Sequence, residues 1–181
     1  IGDGRSSAAD DKIQETHIRP IWTDDDLFTV KREITVGTTE GETASNLIDD
    51  TIRARKEYKG SGNPTLFTSE DVLAEMLLLK DKNGVRLYES VDELATAMRV
   101  AKIVTIPQFE NLTREVSAGG KKDTFTLKAI MVNLVDYTVG ADKGGAVSMF
   151  EDFDIDYNQE KYLIETRCSA ALTVPKSAIG G

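Results

Sequence analysis

The sequence predicts an α+β fold, and three observations carry that expectation. Apolar residues recur at helical spacing in three stretches in the middle of the chain. They alternate with polar residues near both ends. No internal repeat and no coiled-coil heptad runs through it. Helices in the middle and strands at the ends imply a sheet that joins distant parts of the chain. The length, 181 residues, suits one domain or two small lobes, and 40% hydrophobic residues is too apolar for a disordered chain. A net charge of −9 argues against a general nucleic-acid binder, which needs a basic surface to displace phosphate counterions. The single cysteine, Cys168, allows no intramolecular disulfide and fits a reducing compartment. No run of about 18 apolar residues is present to span a membrane. The opening IGDGRSSAADD has neither the basic start nor the apolar core of a signal peptide. It begins on Ile1, as expected of a processed or truncated product.

In chain order, residues 1–17 read as a loose lead-in. Thr16 to Trp22 suits a short strand with Ile18 and Ile21 buried and Pro20 at an edge or bend. Asp24, Asp25 and Asp26 form a turn. From Leu27 to Val36 a half-buried strand is expected, with Phe28, Val30, Arg32 and Ile34 on one side and Leu27, Thr29, Lys31 and Glu33 on the other. The first helix spans about 43–56, capped by Thr43, with Ala44, Leu47, Ile48, Thr51, Ile52 and Arg55 on one stripe. GSGNP at 60–64 breaks the pattern. Thr68 or Ser69 caps the second helix, about 69–80, with Glu70 and Asp71 near its positive end and Val72, Leu73, Met76, Leu77 and Leu79, with Leu78 as a further candidate, apolar. Asn83-Gly84 is a hairpin turn signal. Ser90 with Glu93 makes a capping box for the third helix, about 91–101, lined by Leu94, Ala97, Met98 and Ala101.

Ile103, Val104 and Ile106 read as a buried strand stopped by Pro107. Residues 108–122, with Ser117-Ala118-Gly119-Gly120, have the composition of a loop. Phe125 to Val135 reads as one strand, increasingly apolar, and 140–145 as a glycine-rich turn. Phe153, Ile155 and Tyr157 then alternate with Asp152, Asp154 and Asp156. Tyr162 to Val174 is the clearest strand, with Tyr162, Ile164, Cys168, Ala170, Leu172 and Val174 on an apolar face and Pro175 at its end.

The chemistry available is thin. Asp152, Asp154 and Asp156 resemble the start of a calcium loop, but Tyr157 stands where the sharp-turn glycine belongs and Leu163 where the bidentate glutamate belongs. An acidic outer face of a strand accounts for them; the alternative is a divalent-metal-dependent hydrolase or metal-binding module built on these three carboxylates. Asp24 to Asp26 are consecutive, so their side chains diverge and suit a turn. His17, the only histidine, carries no motif that would join it to a nucleophile. Cys168, on an apolar face, reads as a buried thiol. GADKGG at 140–145 lacks the ending of a phosphate loop. Lys121 and Lys122 read as solvated loop lysines, and Trp22 as a core or interface anchor. No catalytic, cofactor-binding or metal-binding residue is assigned, no cofactor is expected, and a structural or interaction protein leads.

The blocks MVNLVDYTVGADKGG (131–145) and FEDFDIDYNQEKYLIETRCSAALTVPKSAI (150–179) resemble the C-terminal part of HK97-like major capsid proteins of tailed phages and prophages. IRPIWTDDDLFTV (18–30), GNPTLFTSEDVLAEMLLLKDKNGVRLYES (62–90) and ELATAMRVAKIVTIP (93–107) resemble the same family in the same order, so the likeness runs over most of the chain. The resemblance implies an HK97-like capsid fold, with P-domain strands at 18–36 and 146–179 and an A-domain at 37–145. It implies a non-enzymatic virion subunit, made in the bacterial host cytoplasm. Its partners would be other copies in hexamers and pentamers, with scaffold or portal proteins, and neither membrane nor specific nucleic-acid sequence. The N-terminal arm, extended loop and spine helix of that family have no counterpart ahead of Thr43, so the chain is expected to be the C-terminal portion of a subunit. The acidic stretch from Asp142 to Glu160 is expected at a subunit contact or outside a shell, away from packaged DNA.

Overall fold

The structure is a computed structural model that describes residues 19–39, 41–110, 112–118, 121–141, 148–154, 159–165 and 168–181. It is α+β. The chain forms two compact units, one from Trp22–Asp136 and Thr173–Gly181, the other from Ile1–Ile21 and Tyr137–Leu172.

The larger unit is built on a five-stranded sheet. Its strands are β1 (Thr29–Lys31), β2 (Thr65–Thr68), β3 (Ile103–Thr105), β6 (Ala129–Val132) and β11 (Ala178–Gly180), in the order β1-β11-β6-β2-β3. β1 and β3 pair in parallel with their neighbours, and β6 is antiparallel to both of its own. The parallel step from β2 to β3 needs a crossover, which carries the helices α2 (Glu70–Leu77) and α3 (Val91–Met98). With α1 (Glu42–Ala54) these helices bury Ala44, Leu47, Ile48, Val72, Leu73, Met76, Leu94 and Met98 in one core with Leu66, Ala129, Met131 and Ile179 of the sheet. The expected sheet joining distant stretches is therefore present, and it draws strands from residues 18–36, 37–145 and 146–179 alike.

Local chemistry sets the helix ends. Ser69 accepts the Val72 amide at 3.4 Å and caps α2. Ser90 accepts the Glu93 amide at 3.2 Å, while the Glu93 carboxylate takes the amide of Glu89, one residue before the expected partner. α1 differs from expectation at its start. Gly41, not Thr43, is the N-cap, because the Thr43 hydroxyl is turned back to accept the Gly37 amide at 2.9 Å. The Glu42 carboxylate instead gathers the amides of Thr38 and Thr39 at 3.0 and 3.2 Å. Ala44, Leu47, Ile48 and Thr51 are buried as expected, but Ile52 is 39% exposed and Ala54 takes the inward position. All three helices stop short of the expected ends. After α2, Lys80 bridges Arg86 around the Asn83-Gly84 turn, where Gly84 adopts φ 82° and Asp81 accepts the amides of Asn83 and Val85. After α3, Ala101 is exposed and Arg99 takes the left-handed cap.

The strand expectations needed more correction. No strand covers 19–22: Pro20 has no amide to give a ladder, and Ile21–Thr23 turn. Regular pairing in the next segment is confined to Thr29–Lys31, with Thr29 wholly buried. Residues 113–118, with Lys121 and Lys122, are not a loop but belong to an antiparallel pair, β4 (Thr113–Ala118) and β5 (Lys121–Thr126). Phe125–Val135 is two strands, β5 and β6, followed by a 3-10 turn at Leu134–Asp136. Gly140 and Ala141 belong to a strand, β7 (Tyr137–Ala141), while 142–147 lie outside the described residues. Past Pro175, where strand structure was expected to end, β11 forms.

In the smaller unit, β7 pairs with β10 (Cys168–Leu172), and β8 (Ser148–Asp154) pairs with β9 (Gln159–Glu165), both antiparallel. The expected strand from Tyr162 to Val174 is thus two strands in two different sheets. Ala170 and Leu172 are buried, but Tyr162 and Ile164 are exposed, because β9 has β8 as its sheet neighbour and β10 has β7.

Two outcomes test this packing. Leu94→Ala, at a position with no exposure, is expected to lower unfolding stability by about 3 kcal/mol, whereas Leu87→Ala, half exposed, stays within about 0.5 kcal/mol in urea titrations. The second concerns pH. The Glu42 carboxyl is held below the usual range by hydrogen bonds from the Thr39 hydroxyl and amide, then from the Thr38 amide. A lowered folded pKa adds stability above the unfolded pKa, and that stability is lost as pH falls through the folded value. Glu42→Gln is therefore less stable than the parent at neutral pH, with the gap closing on acidification; a gap independent of pH refutes the assignment.

Candidate interaction surface

Among the described residues, β8 and β9 present a large feature that the core does not account for. Their seven cross-strand pairs run from Ser148↔Glu165 to Asp154↔Gln159. Alternation along each strand sends Met149, Glu151 and Phe153 with Ile164, Tyr162 and Glu160 to one face, and Phe150 and Asp152 with Leu163 and Lys161 to the other. Met149, Phe150, Phe153, Tyr162, Leu163 and Ile164 are each more than half exposed, from 53% at Phe153 to 68% at Ile164. A two-stranded hairpin is marginal in water without a covered face, and contiguous exposed apolar surface marks contact sites. Polar groups are interleaved. Met149 lies opposite Ile164 and Phe150 opposite Leu163, while Asp152 lies opposite Lys161. The Tyr162 hydroxyl donates to Glu160 Oε2 at 2.5 Å, and that bond pushes the phenol pKa up.

The residues weighed for chemistry are placed as follows among the described residues. Asp152 is exposed in β8, Asp154 ends that strand opposite Gln159, and Asp156 lies outside the described residues. Asp24 is buried and accepts the Asp25 amide, Asp25 accepts the Leu27 amide, and Asp26 pairs with Lys31 at 2.6 Å. Among the described residues no group of three acidic, histidine or cysteine side chains could hold a metal ion. His17 is outside the described residues, and Cys168 sits opposite Ala141 in the β7–β10 ladder. Lys121 and Lys122 lie at the end of β5, opposite Ala118 and Ser117. Trp22 is half-buried beside Gly180 and lines a groove of about 860 Å³ with Arg32, Ile34, Phe125, Lys128 and Gly181. Arg32 is engaged there: it donates to Asp50 at 2.6 and 3.2 Å and to Glu57 at 3.3 Å, and the Asp50 bond holds its pKa above the ordinary value. Among the described residues no helix is long and apolar enough to cross a membrane.

One buried polar cluster was not singled out from sequence. Asp136, 2% exposed, accepts from the Ser61 hydroxyl at 2.5 Å and the Ser61 amide at 2.7 Å. Asn133 and Tyr58 donate to the Ser61 carbonyl at 2.8 and 3.1 Å, and Thr173 donates twice to the Asp136 carbonyl. Burial, then the Asp136 charge, push the Tyr58 phenol pKa up, so it stays a donor; the Arg55 guanidinium lies 4.7 Å from its ring centre. A Cβ at Gly60 would lie 2.5 Å from the Tyr58 hydroxyl and 2.6 Å from Asp136 Oδ2. Through these bonds the cluster pins the 58–63 loop to the 3-10 turn. Its partners are 75 residues apart, and no local pattern announces such a pair.

No protein-family model matches this sequence, and no curated protein matches it as a relative.

Asp136→Ala leaves the Ser61 amide and hydroxyl without their acceptor and is expected to cost about 3 kcal/mol in chemical denaturation. Gly60→Ala should be destabilising for the steric reason given, and a variant as stable as the parent would show that the loop is not held as described.

Proposed function

We propose that this chain is a structural subunit whose copies associate through exposed sheet surface, as the C-terminal portion of an HK97-like major capsid protein. The single observation that carries the proposal is the β8–β9 hairpin, with six large apolar side chains facing solvent on a pair of strands too small to be stable alone. The sequence resemblance supports the same reading over most of the chain, and the α+β organisation is compatible with it. In this reading the protein is non-enzymatic, and copies gather in hexamers and pentamers of an icosahedral shell around phage DNA. The carboxylates of β8 and β9 fit a protein contact or an outer surface better than a DNA-facing one, since they would repel phosphate.

The test is electron microscopy and sedimentation of the chain and of the complete gene product. Icosahedral particles from the complete product, with concentration-dependent association of the chain, are the expected result. A monodisperse monomer at every concentration, with no particles, overturns the proposal. Calorimetry with magnesium, calcium and manganese runs alongside: absence of saturable binding is expected, and micromolar binding abolished by Asp152→Asn would favour a metal-dependent module instead.

A further inference from the structure

β9 is a strand edge whose sequence is complementary to itself. Among the described residues it has β8 on one edge and no strand on the other. Its last five residues read Lys161, Tyr162, Leu163, Ile164, Glu165: cation, aromatic, two aliphatics, anion. Laid antiparallel against a second copy about a two-fold axis at Leu163, the strand sets Lys161 opposite Glu165 of the second copy, twice by symmetry. Tyr162 meets Ile164, also twice, and Leu163 meets itself. Direct opposition on one face is where aromatic–aliphatic and opposite-charge pairs stabilise a ladder.

β8 offers nothing equivalent. Its sequence, SMFEDFD, has three carboxylates and no cation, so no register of β8 against another β8 yields an opposite-charge pair. Centred on Glu151 or Asp152 it sets carboxylate against carboxylate. Joining β9 of one copy to β8 of the next would be head-to-tail, and it closes only where the rotation between copies completes a ring. Within the hairpin, Lys161 lies opposite Asp152 and Glu165 opposite Ser148. In the doubled sheet each lysine would then lie between two carboxylates, one from each copy.

We propose that two copies join β9 to β9 across a two-fold axis, making a continuous four-stranded antiparallel sheet. The inference rests on the self-association reading above and adds the edge, the register and the closure. A two-fold contact uses up both exposed β9 edges and leaves the acidic β8 edges outermost, where their charge disfavours further strand addition.

Charge exchange tests the register. Glu165→Lys leaves Lys161 opposite Asp152 within the hairpin but sets lysine opposite lysine across the axis. It is expected to weaken self-association about ten-fold, since two favourable cross-strand pairs become unfavourable together. Lys161→Glu should weaken it likewise, and an equal mixture of the two variants should associate more tightly than either alone. As an independent measurement, Leu163→Cys in a Cys168→Ser background is expected to form a disulfide-linked dimer under mild oxidation. This decides the matter even if a charge variant folds poorly. Association that is indifferent to Glu165→Lys and gives no cross-link through position 163 overturns the β9 contact and leaves the subunit reading standing. A chain that does not associate at all overturns both.

Discussion

Ala129, Ile130, Met131 and Val132 are all buried because β6 has a strand on each edge and side chains packed on both faces. That position is the constraint on which the larger unit depends. β6 receives β2 on one side and β11 on the other, so it ties residues 65–68 to residues 178–180 through a single four-residue strand. Met131 and Ala129 join the helix-side core with Leu66, Met76, Leu94 and Met98. A strand covered this way has no polar position to spare, which is why its sequence abandons alternation. The helices need it equally: three short helices of 8 to 13 residues would not hold in isolation, and their apolar stripes find a common surface on this sheet.

The polar pins follow from that arrangement. Segments far apart in sequence arrive beside one another, and their loops must satisfy backbone groups that water no longer reaches. Asp136 does this for the loop at Ser61, and Arg32 ties the segment after β1 to Asp50 and Glu57 around α1. Arg32 and its partners are partly exposed, so the pairs are screened and contribute modestly. Asp136 is buried, so losing its partners leaves an unpaired charge at full desolvation cost. The two contacts look alike as side-chain bonds and differ in consequence because of burial.

What was legible in the sequence was chiefly local. The α+β class, the helix starts at Ser69 and Ser90 and the Asn83-Gly84 turn are set by neighbours three or four residues apart, and each appears where such chemistry places it. The failures share a cause as well. Tyr162–Val174 has the alternation of one strand, but period alone does not say which neighbour a strand will find, and here two halves find different ones. β4 and β5 were hidden by the small and polar composition of Ser117-Ala118-Gly119-Gly120, which reads as a loop whatever the pairing of the residues around it. The Ser61–Asp136 pair had no sequence signal. The apolar residues of the candidate surface were visible, but their exposure was not: Phe153 and Tyr162 were read as inward-facing, which assumes that an alternating strand has a core beneath it.

That last assumption bears on how the exposed hairpin is to be understood. An apolar two-stranded ribbon with no further strand on either edge among the described residues would ordinarily be an aggregation hazard, and proteins manage such edges with charge. Here the charge is distributed unequally: β8 carries carboxylates alone, whereas β9 carries a lysine and a glutamate flanking its apolar centre. Uniform charge would repel any second copy from either edge. Mixed charge at matched positions repels most registers and favours one. In the proposed assembly the charges therefore have two effects. The carboxylates of β8 make that edge a poor partner, and Lys161 with Glu165 makes β9 selective about how it is met. A chain with a net charge of −9 can associate with itself only where opposite charges or apolar groups are brought face to face, and β9 is the described edge whose sequence supplies both.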